Sequence, residues 1–438
     1  MKRVLTGLLA LAATVAAASE PPTALMGGVV HTVSGAVLDG ATVLIEGDHI
    51  AAVGRDLPLP GQVKRIDITG LHVYPALFSA DTVLGLSEIG AVRATVDTSE
   101  VGEVNPDVRA ELAMNPDSEI LPVTRSNGVL LALTAPRGGL LAGTSAVIRL
   151  DGWTWEDMTV KAPAALHVMW PSMALDHGPD AATSLDDQQE AVRKRIERLQ
   201  QAFAEARAYL KARDAESEKG VPQHDADARW EAMRPALAGK IPVVVHAQGV
   251  KEMRAAIVWA ASEKLHLVIA GGRDAGRLVK ELKDADVAVI VDPILQLPAR
   301  DYEPYDGPYT LPARLHRAGV RFAIALGGSA GNVWDTRNLV SHAAMAAAFG
   351  LDHDQALRAI TLSPAEILGV ADRLGSLDPG KEATFFVADG DPLDIRTHVI
   401  KAWVGGREID LGDRHKRLYQ KYLSKPRRET GSPSASEK

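Results

Sequence analysis

The run Pro242-Val243-Val244-Val245-His246-Ala247-Gln248-Gly249 sets a histidine at the carboxyl end of an apolar, branched stretch, and a glycine turn leads from it into a helical pattern. In barrel enzymes that edge of the sheet carries the chemistry. A neutral imidazole there ligates a metal or accepts a proton, and otherwise it hydrogen-bonds a loop; the local sequence leaves both readings open. Asp81 follows Val73-Tyr74-Pro75-Ala76-Leu77-Phe78, a short apolar stretch that fits a first barrel strand, so its carboxylate could meet His246 across a barrel mouth. A solvated loop aspartate is the alternative. Gly327-Gly328-Ser329-Ala330-Gly331 follows Phe322 to Leu326 and has the G-x-S-x-G form of a nucleophile elbow, in which Ser329 would be the nucleophile. That reading needs a sharp turn and an immediate helix, yet the helical pattern resumes only near Asp335, and no spacing singles out Asp352, Asp372 or His398 as triad partners. Gly138 to Ser145 is glycine-rich enough to cradle an anion but has no lysine, and reads as a tight connection between two strands. His167, inside Leu166-His167-Val168-Met169-Trp170, reads as packing or as support for a neighbour. His266 lies at the wrong end of its strand, and His316, His342 and His353 fall in or beside helical patterns.

Those residues need elements to position them. Short apolar runs at Val129 to Leu133, Leu166 to Met169, Ile241 to Val245, Leu265 to Ile269, Val287 to Val291 and Phe322 to Leu326 have the texture of strands covered on both faces. Helical stretches separate the later ones: Gln188 to Arg213, Val250 to Lys264, Ala275 to Asp284, Leu311 to Ala318 and Leu339 to Phe349. This cadence predicts an α/β fold, a (β/α)8 TIM-like barrel over 74–370. Two stretches fit poorly: Asp81 to Val123 lacks a clear barrel helix, and no convincing strand lies between Trp170 and Ile241. The ends are different. Turn signals at Gly27-Gly28, Asp39-Gly40, Gly47-Asp48 and Gly54 punctuate short strands over 19–73, and Thr384 to Ala388 with Val399 to Val404 repeat the pattern over 371–412. A small β-sandwich built from both chain ends is the expectation.

The chain has 438 residues, no cysteine, 46% hydrophobic and 24% charged residues, which excludes disordered, collagen-like and disulfide-framework classes. Met1-Lys2-Arg3, the apolar run Val4 to Val15 and Ala16-Ala17-Ala18 read as a secretory signal peptide over 1–18, too short in its apolar part to span a bilayer. Export to a periplasm or the extracellular space follows. Loss of Lys2 and Arg3 with that leader takes the net charge from -8 to -10, which does not suit nonspecific nucleic-acid binding. A small-molecule substrate, no membrane span and an undetermined oligomeric state complete the partner expectations. The final stretch, 413–438, reads as a flexible basic tail.

Taken together, ends and middle resemble the amidohydrolase superfamily, in particular its imidazolonepropionase-like and prolidase-like branch. The residues that carry the resemblance are Gly47-Asp48-His49-Ile50-Ala51-Ala52-Val53-Gly54 near the start, then Ala356 to Thr361, Ser363-Pro364-Ala365-Glu366-Ile367-Leu368-Gly369 and Leu374-Gly375-Ser376-Leu377-Asp378-Pro379-Gly380-Lys381 near the end. The resemblance implies a metal-dependent barrel that hydrolyses carbon–nitrogen bonds through a metal-bound hydroxide. It also implies ligands that this sequence lacks. The His-x-His pair of the first strand falls at Ser79-Ala80-Asp81, the sixth-strand histidine near Gly271, and the eighth-strand aspartate at Gly328 or Ser329; the fourth-strand lysine has no counterpart that can be placed. His246 alone matches a ligand, the histidine of the fifth strand. One histidine does not hold zinc at useful affinity, so the usual dinuclear site should not form. Two outcomes are left by the resemblance: a rebuilt site from Asp81, His246 and either His167 or Glu88, holding one divalent metal (zinc foremost) or none, or a noncatalytic binding or assembly protein on the same fold. A serine hydrolase using Ser329 is the third reading.

Overall fold

The computed structural model describes residues 21–216, 223 and 225–425; the expected leader and residues 426–438 of the tail lie outside them. Both ends of the chain enter one eight-stranded mixed sheet. From the beginning come Thr23–His31, Val37–Glu46, His49–Gly54, Lys64–Asp67 and His72–Pro75, and from the end Phe385–Ala388, Val399–Val404 and Arg407–Ile409. His72–Pro75 pairs antiparallel with Phe385–Ala388 and so joins the two halves. The turn between the second and third strands uses Gly47 at φ +61°, a left-handed conformation that glycine adopts without the steric cost of a Cβ. A core of Leu25, Val43, Ile50, Val73, Phe385 and Trp403 lies against this sheet, with the Phe385 ring stacked on Trp403 at 5.1 Å between centroids.

The second sheet also has eight strands and forms a nearly closed barrel. In chain order they are Leu77–Thr82, Val129–Thr134, Leu141–Arg149, Thr159–Met169, Val243–Ala247, Leu267–Gly271, Ala288–Val291 and Phe322–Ile324, each hydrogen-bonded to the next. The fourth strand is thus the longer segment whose carboxyl end holds Leu166 to Met169. One feature departs from an all-parallel barrel: the third strand runs antiparallel to both neighbours. The reason is the connection before it. Only Ala135 to Leu140 separate the second and third strands, far too few residues for a helical crossover, whereas a tight connection reverses the chain. First and eighth strands make no ladder, and the seam is bridged by side chain and loop instead. Ser79 Oγ donates to the Leu326 carbonyl at 3.0 Å and accepts from its amide at 3.1 Å, while the Val83 amide reaches the Gly327 carbonyl at 3.0 Å.

Helices cover the outside. Leu185–Ala215 begins where Ser184 accepts from the Asp187 amide, and its buried stripe Leu199, Ala202, Phe203, Ala206 and Leu210 keeps the three-to-four spacing of one helical face. Val250–Glu263 and Leu339–Ala348 stand where the sequence places them, Gly307–Ala318 begins four residues before the expected start at Leu311, and the stretch Ala275 to Asp284 divides into a 3-10 turn, Ala275–Arg277, and a short helix, Val279–Asp284. Arg149 at the end of the third barrel strand forks onto Glu382 at 2.8 and 2.7 Å, tying the barrel to the segment that returns to the end sheet. The tail expectation needs correcting in its first part. Arg414–Leu423 is a helix capped by the Asp413 carboxylate, and Arg417 meets Glu119 at 3.1 Å. No described helix is long and apolar enough to cross a membrane.

Candidate active site

Alternation along the first barrel strand puts Ser79 and Asp81 on one face. Ser79 spends its hydroxyl on the seam; Asp81, 3% exposed, stands one pair further along, at the carboxyl mouth. Its partner is Arg137, from the loop that follows the second strand. The Arg137 amide is held by the Thr98 carbonyl at 2.6 Å, and the side chain then reaches across the mouth. Nη2 donates to Asp81 Oδ1 at 2.7 Å, Nε donates to the Gly328 carbonyl at 2.8 Å, and Nη1 lies 3.4 Å from His246 Nε2. One guanidinium therefore touches groups of the first and fifth strands and the loop after the eighth.

His246 is the fourth residue of the fifth strand, and its side chain is 14% exposed. His246 Nε2 lies 2.9 Å from Nδ1 of the fully buried His167, on the adjacent fourth strand. Tautomers follow from the donors available. A guanidinium only donates, so His246 Nε2 accepts, His167 Nδ1 carries the proton shared between the rings, and the remaining His246 proton sits on Nδ1, which faces Asp81 Oδ2 at 3.8 Å. His167 Nε2 is left as an enclosed acceptor with no partner. Burial pushes both imidazoles well below their ordinary range, and the Arg137 charge adds to this in each, so both rings are neutral at pH 7.

A second carboxyl, Asp292, immediately follows the seventh strand. Its Oδ1 is enclosed without a partner, and burial together with the Asp81 charge pushes its pKa up to about 8. The two carboxyls of the mouth thus sit in different environments, one hydrogen-bonded to the Arg137 guanidinium and one buried without an ion pair of its own.

Two glycines show how the space was reallocated. A Cβ on Gly271 would lie 2.3 Å from Gln248 Nε2, and the backbone there has φ +92°; the Gln248 amide fills what a sixth-strand side chain would occupy. A Cβ on Gly328 would lie 2.8 Å from Asp292 Oδ2, 3.2 Å from Arg137 Nη2 and 3.4 Å from Asp81 Oδ2. The sixth-strand ligand position and one of the two candidate positions for the eighth-strand ligand are thus already filled by other polar groups. Over this cluster opens a cavity of about 580 Å³ whose walls include Asp81, Arg137, Trp170, His246, Asp292 and Ser329.

Asp81 and His246, expected to meet across the mouth, do so, and His167 joins them. Ser329 is an exposed residue of the cavity rim; its hydroxyl donates to Asn332 Oδ1 at 2.9 Å, and no histidine partners it among the described residues. A 3-10 turn, Val333–Asn338, follows it in place of an immediate α-helix. Asp352 caps the helix His353–Arg358, and His398 turns to Asp389, so neither serves Ser329. Glu88 is engaged by the Ser118 hydroxyl and the Glu119 amide, away from the cluster. Tyr302, Tyr305 and Tyr309, which follow the seventh strand, do not line the cavity: Tyr309 packs on Phe349 at 5.0 Å between ring centroids, and Tyr302 and Tyr305 are exposed. Sequence reasoning missed Arg137 and Asp292. Asp292 carried the signal that found His246, a polar residue ending a branched apolar run, whereas nothing in the sequence marks Arg137 except its place beside Gly138.

The sequence profile of the amidohydrolase family matches residues 158–411, more than half of the chain. The protein belongs to the amidohydrolase family. Among curated relatives, amidohydrolase tasK of Hapsidospora irregularis is 22% identical over 394 residues, covering 83% of this chain and 39% of its own length, so this chain spans about two-fifths of that relative. Among solved structures, an amidohydrolase from Thermotoga maritima MSB8 superposes with a TM-score of 0.77 at 24% identity, covering 89% of this chain and 99% of that one. A zinc-bound adenosine deaminase from Xanthomonas campestris gives a TM-score of 0.51 at 18% identity, covering 92% and 97%. At these identities the superpositions establish the fold.

Amidohydrolases usually bind metals, and here Asp81, His167 and His246 bring ligand atoms within 4.8 Å of one another, a grouping that could hold one ion. Arg137 stands against it. Its Nη2 and Nη1 already face Asp81 and His246, and a divalent ion about 4 Å from a guanidinium meets a repulsion of roughly 8 kcal/mol at an effective dielectric of about 20. With the guanidinium in place the donor set does not fit a metal.

Proposed function

We propose that this amidohydrolase cleaves carbon–nitrogen bonds of amides or cyclic amides at a rebuilt mouth in which two carboxyls divide the proton transfers. The observation that carries the reading is the pairing of different environments. Asp81 is paired with the Arg137 guanidinium, whereas Asp292, which also lines the cavity, holds its proton up to a pH of about 8. A carboxyl that keeps its proton beside one held in an ion pair is an arrangement that acid–base catalysis can use.

In this mechanism a substrate lies in the cavity with its carbonyl carbon over the cluster. Asp81 Oδ2 takes a proton from a water as the water oxygen bonds to that carbon, and Asp292 gives its proton to the departing nitrogen as the carbon–nitrogen bond breaks. A carboxylic acid and an amine leave, and the proton gained by Asp81 passes to Asp292 to restore the starting state. The neutral His167–His246 pair sets the edge of the site. It keeps His246 Nδ1–H directed at Asp81 without adding a charge that would compete with Arg137. We also propose export to the periplasm or outside the cell, on the strength of the leader pattern in residues 1–18.

The test is hydrolysis of a panel of N-acyl amino acids, dipeptides ending in proline, hydantoins and dihydropyrimidines, followed by amine or acid release. Turnover that falls at least about a hundredfold in Asp81→Asn and persists in chelator supports the reading. No cleavage by the folded wild type across the panel favours the binding-protein alternative. Labelling of Ser329 by a fluorophosphonate would favour the serine reading.

A further inference from the structure

We infer that the Arg137 guanidinium is the resident cation of the mouth, standing where a metal ion would bridge Asp81 and His246 and meeting the negative charge that develops on a substrate carbonyl. The part concerning the carbonyl rests on the hydrolase reading above. Replacement of the ion does not, and metal binding reads it whether or not any substrate turns over.

Two short contacts fix the group. Nε is spent on the Gly328 carbonyl at 2.8 Å and Nη2 on Asp81 at 2.7 Å, which orients the plane; Nη1 makes only long contacts, 3.4 Å each, to His246 Nε2 and the Pro136 carbonyl. A guanidinium carries five N–H donors. Those not used by these partners belong to a residue that lines the cavity, where a carbonyl oxygen can receive them. Fixed donors aimed at a developing oxyanion stabilise it without reorganisation.

Composition of the cluster agrees. Asp81 supplies one negative charge and Arg137 one positive, and two neutral rings complete the group, so the charge of the buried pair is closed without an ion. An arginine does not give up its proton to make way, as a lysine can. Absence of a side chain at Gly328 is part of the same construction, because a Cβ there would come within 3.2 Å of Nη2. The glycine that replaces an expected ligand is also the one that admits the guanidinium and accepts from its Nε.

The experiment is zinc binding by the full-length chain, purified without chelator or affinity metal and titrated with zinc alone against a competing chromophoric chelator. Wild type, Arg137→Met, Arg137→Lys and the double variant Arg137→Met/His246→Ala are compared, with circular dichroism melts to establish that each is folded. Wild type is expected to carry no stoichiometric zinc. Arg137→Met, which keeps the length of the stem but removes the charge, is expected to bind one equivalent at least about a hundredfold more tightly than wild type, and the double variant is expected to lose it. Arg137→Lys places a cation there that can shed its proton, so it should bind zinc more tightly than wild type and more weakly than Arg137→Met, and it carries the test if Arg137→Met folds poorly. One equivalent of zinc on wild type, reduced by His246→Ala, would overturn the inference. A folded Arg137→Met that takes up no zinc would do so as well, because the guanidinium would then not be what keeps the ion out.

Discussion

Replacing Asp292 by Asn should change how stability depends on pH more than stability itself. In the folded chain burial and the Asp81 charge raise the Asp292 carboxyl from 3.8 to about 8. Between those values the folded state holds a proton that the unfolded state has released, so stability must fall as pH rises through that window and level off above about 8. The slope is about 1.4 kcal/mol per pH unit, and the whole window amounts to an upper limit of roughly 5–6 kcal/mol. Below the unfolded value the carboxyl is protonated in both states, and its contribution is fully present. Asn has nearly the same shape as the protonated acid and, like it, no charge to bury. Wild type and Asp292→Asn should therefore be similar near pH 4 to 5, and the variant should become the more stable protein by several kcal/mol near pH 8. Urea unfolding of both at pH 5, 6, 7, 8 and 9 measures this. Parallel curves across that range would refute the assignment of Asp292 as a buried carboxyl that holds its proton.

Four further outcomes are expected. Gly271→Ala should lose about 1–3 kcal/mol in thermal or urea unfolding, since its Cβ would lie 2.3 Å from the Gln248 amide at a left-handed φ. Ser79→Ala should cost about 1–3 kcal/mol by leaving the Leu326 amide unsatisfied at the seam while its carbonyl keeps the Thr336 hydroxyl, and faster hydrogen exchange at Leu326 would localise it. Arg149→Ala should destabilise by about 1.5–3 kcal/mol, because Glu382, 5% exposed, would lose its forked partner and keep Arg373 at 3.3 Å and the Thr384 hydroxyl. Ser329→Ala should leave hydrolysis and stability unchanged, since its hydroxyl serves only the exposed turn to Asn332.

The barrel was largely legible because its strands are covered on both faces, and such strands appear as unbroken apolar runs such as Val243 to Val245 and Val287 to Val291. The reversed third strand was half legible. The short link through Gly138 announces a tight connection, but the direction of Leu141–Arg149 follows only once the strands on both sides are fixed. His246 and Asp81 could be found because a polar residue ending a buried run stands at the mouth by geometry. Arg137 could not. Its contribution depends on a long side chain reaching from a loop across the barrel to Asp81 and Gly328, residues 56 and 191 positions away, and no local pattern encodes that reach. The same holds for Gly271 and Gly328: the sequence shows that ligands are missing, but only packing shows that Gln248, Asp292 and Arg137 have taken their room.

The central claim is that Asp81 and Asp292 form a working acid–base pair. It is tested most directly by the pH dependence of kcat/KM for whichever amide in the panel turns over fastest, measured in wild type and Asp292→Asn. The account predicts that wild-type activity declines above a pH of about 8 as Asp292 loses its proton, that Asp292→Asn is slower by about 100-fold or more, and that this limb disappears from what activity remains. A variant as active as wild type, with the same alkaline limb, would contradict it.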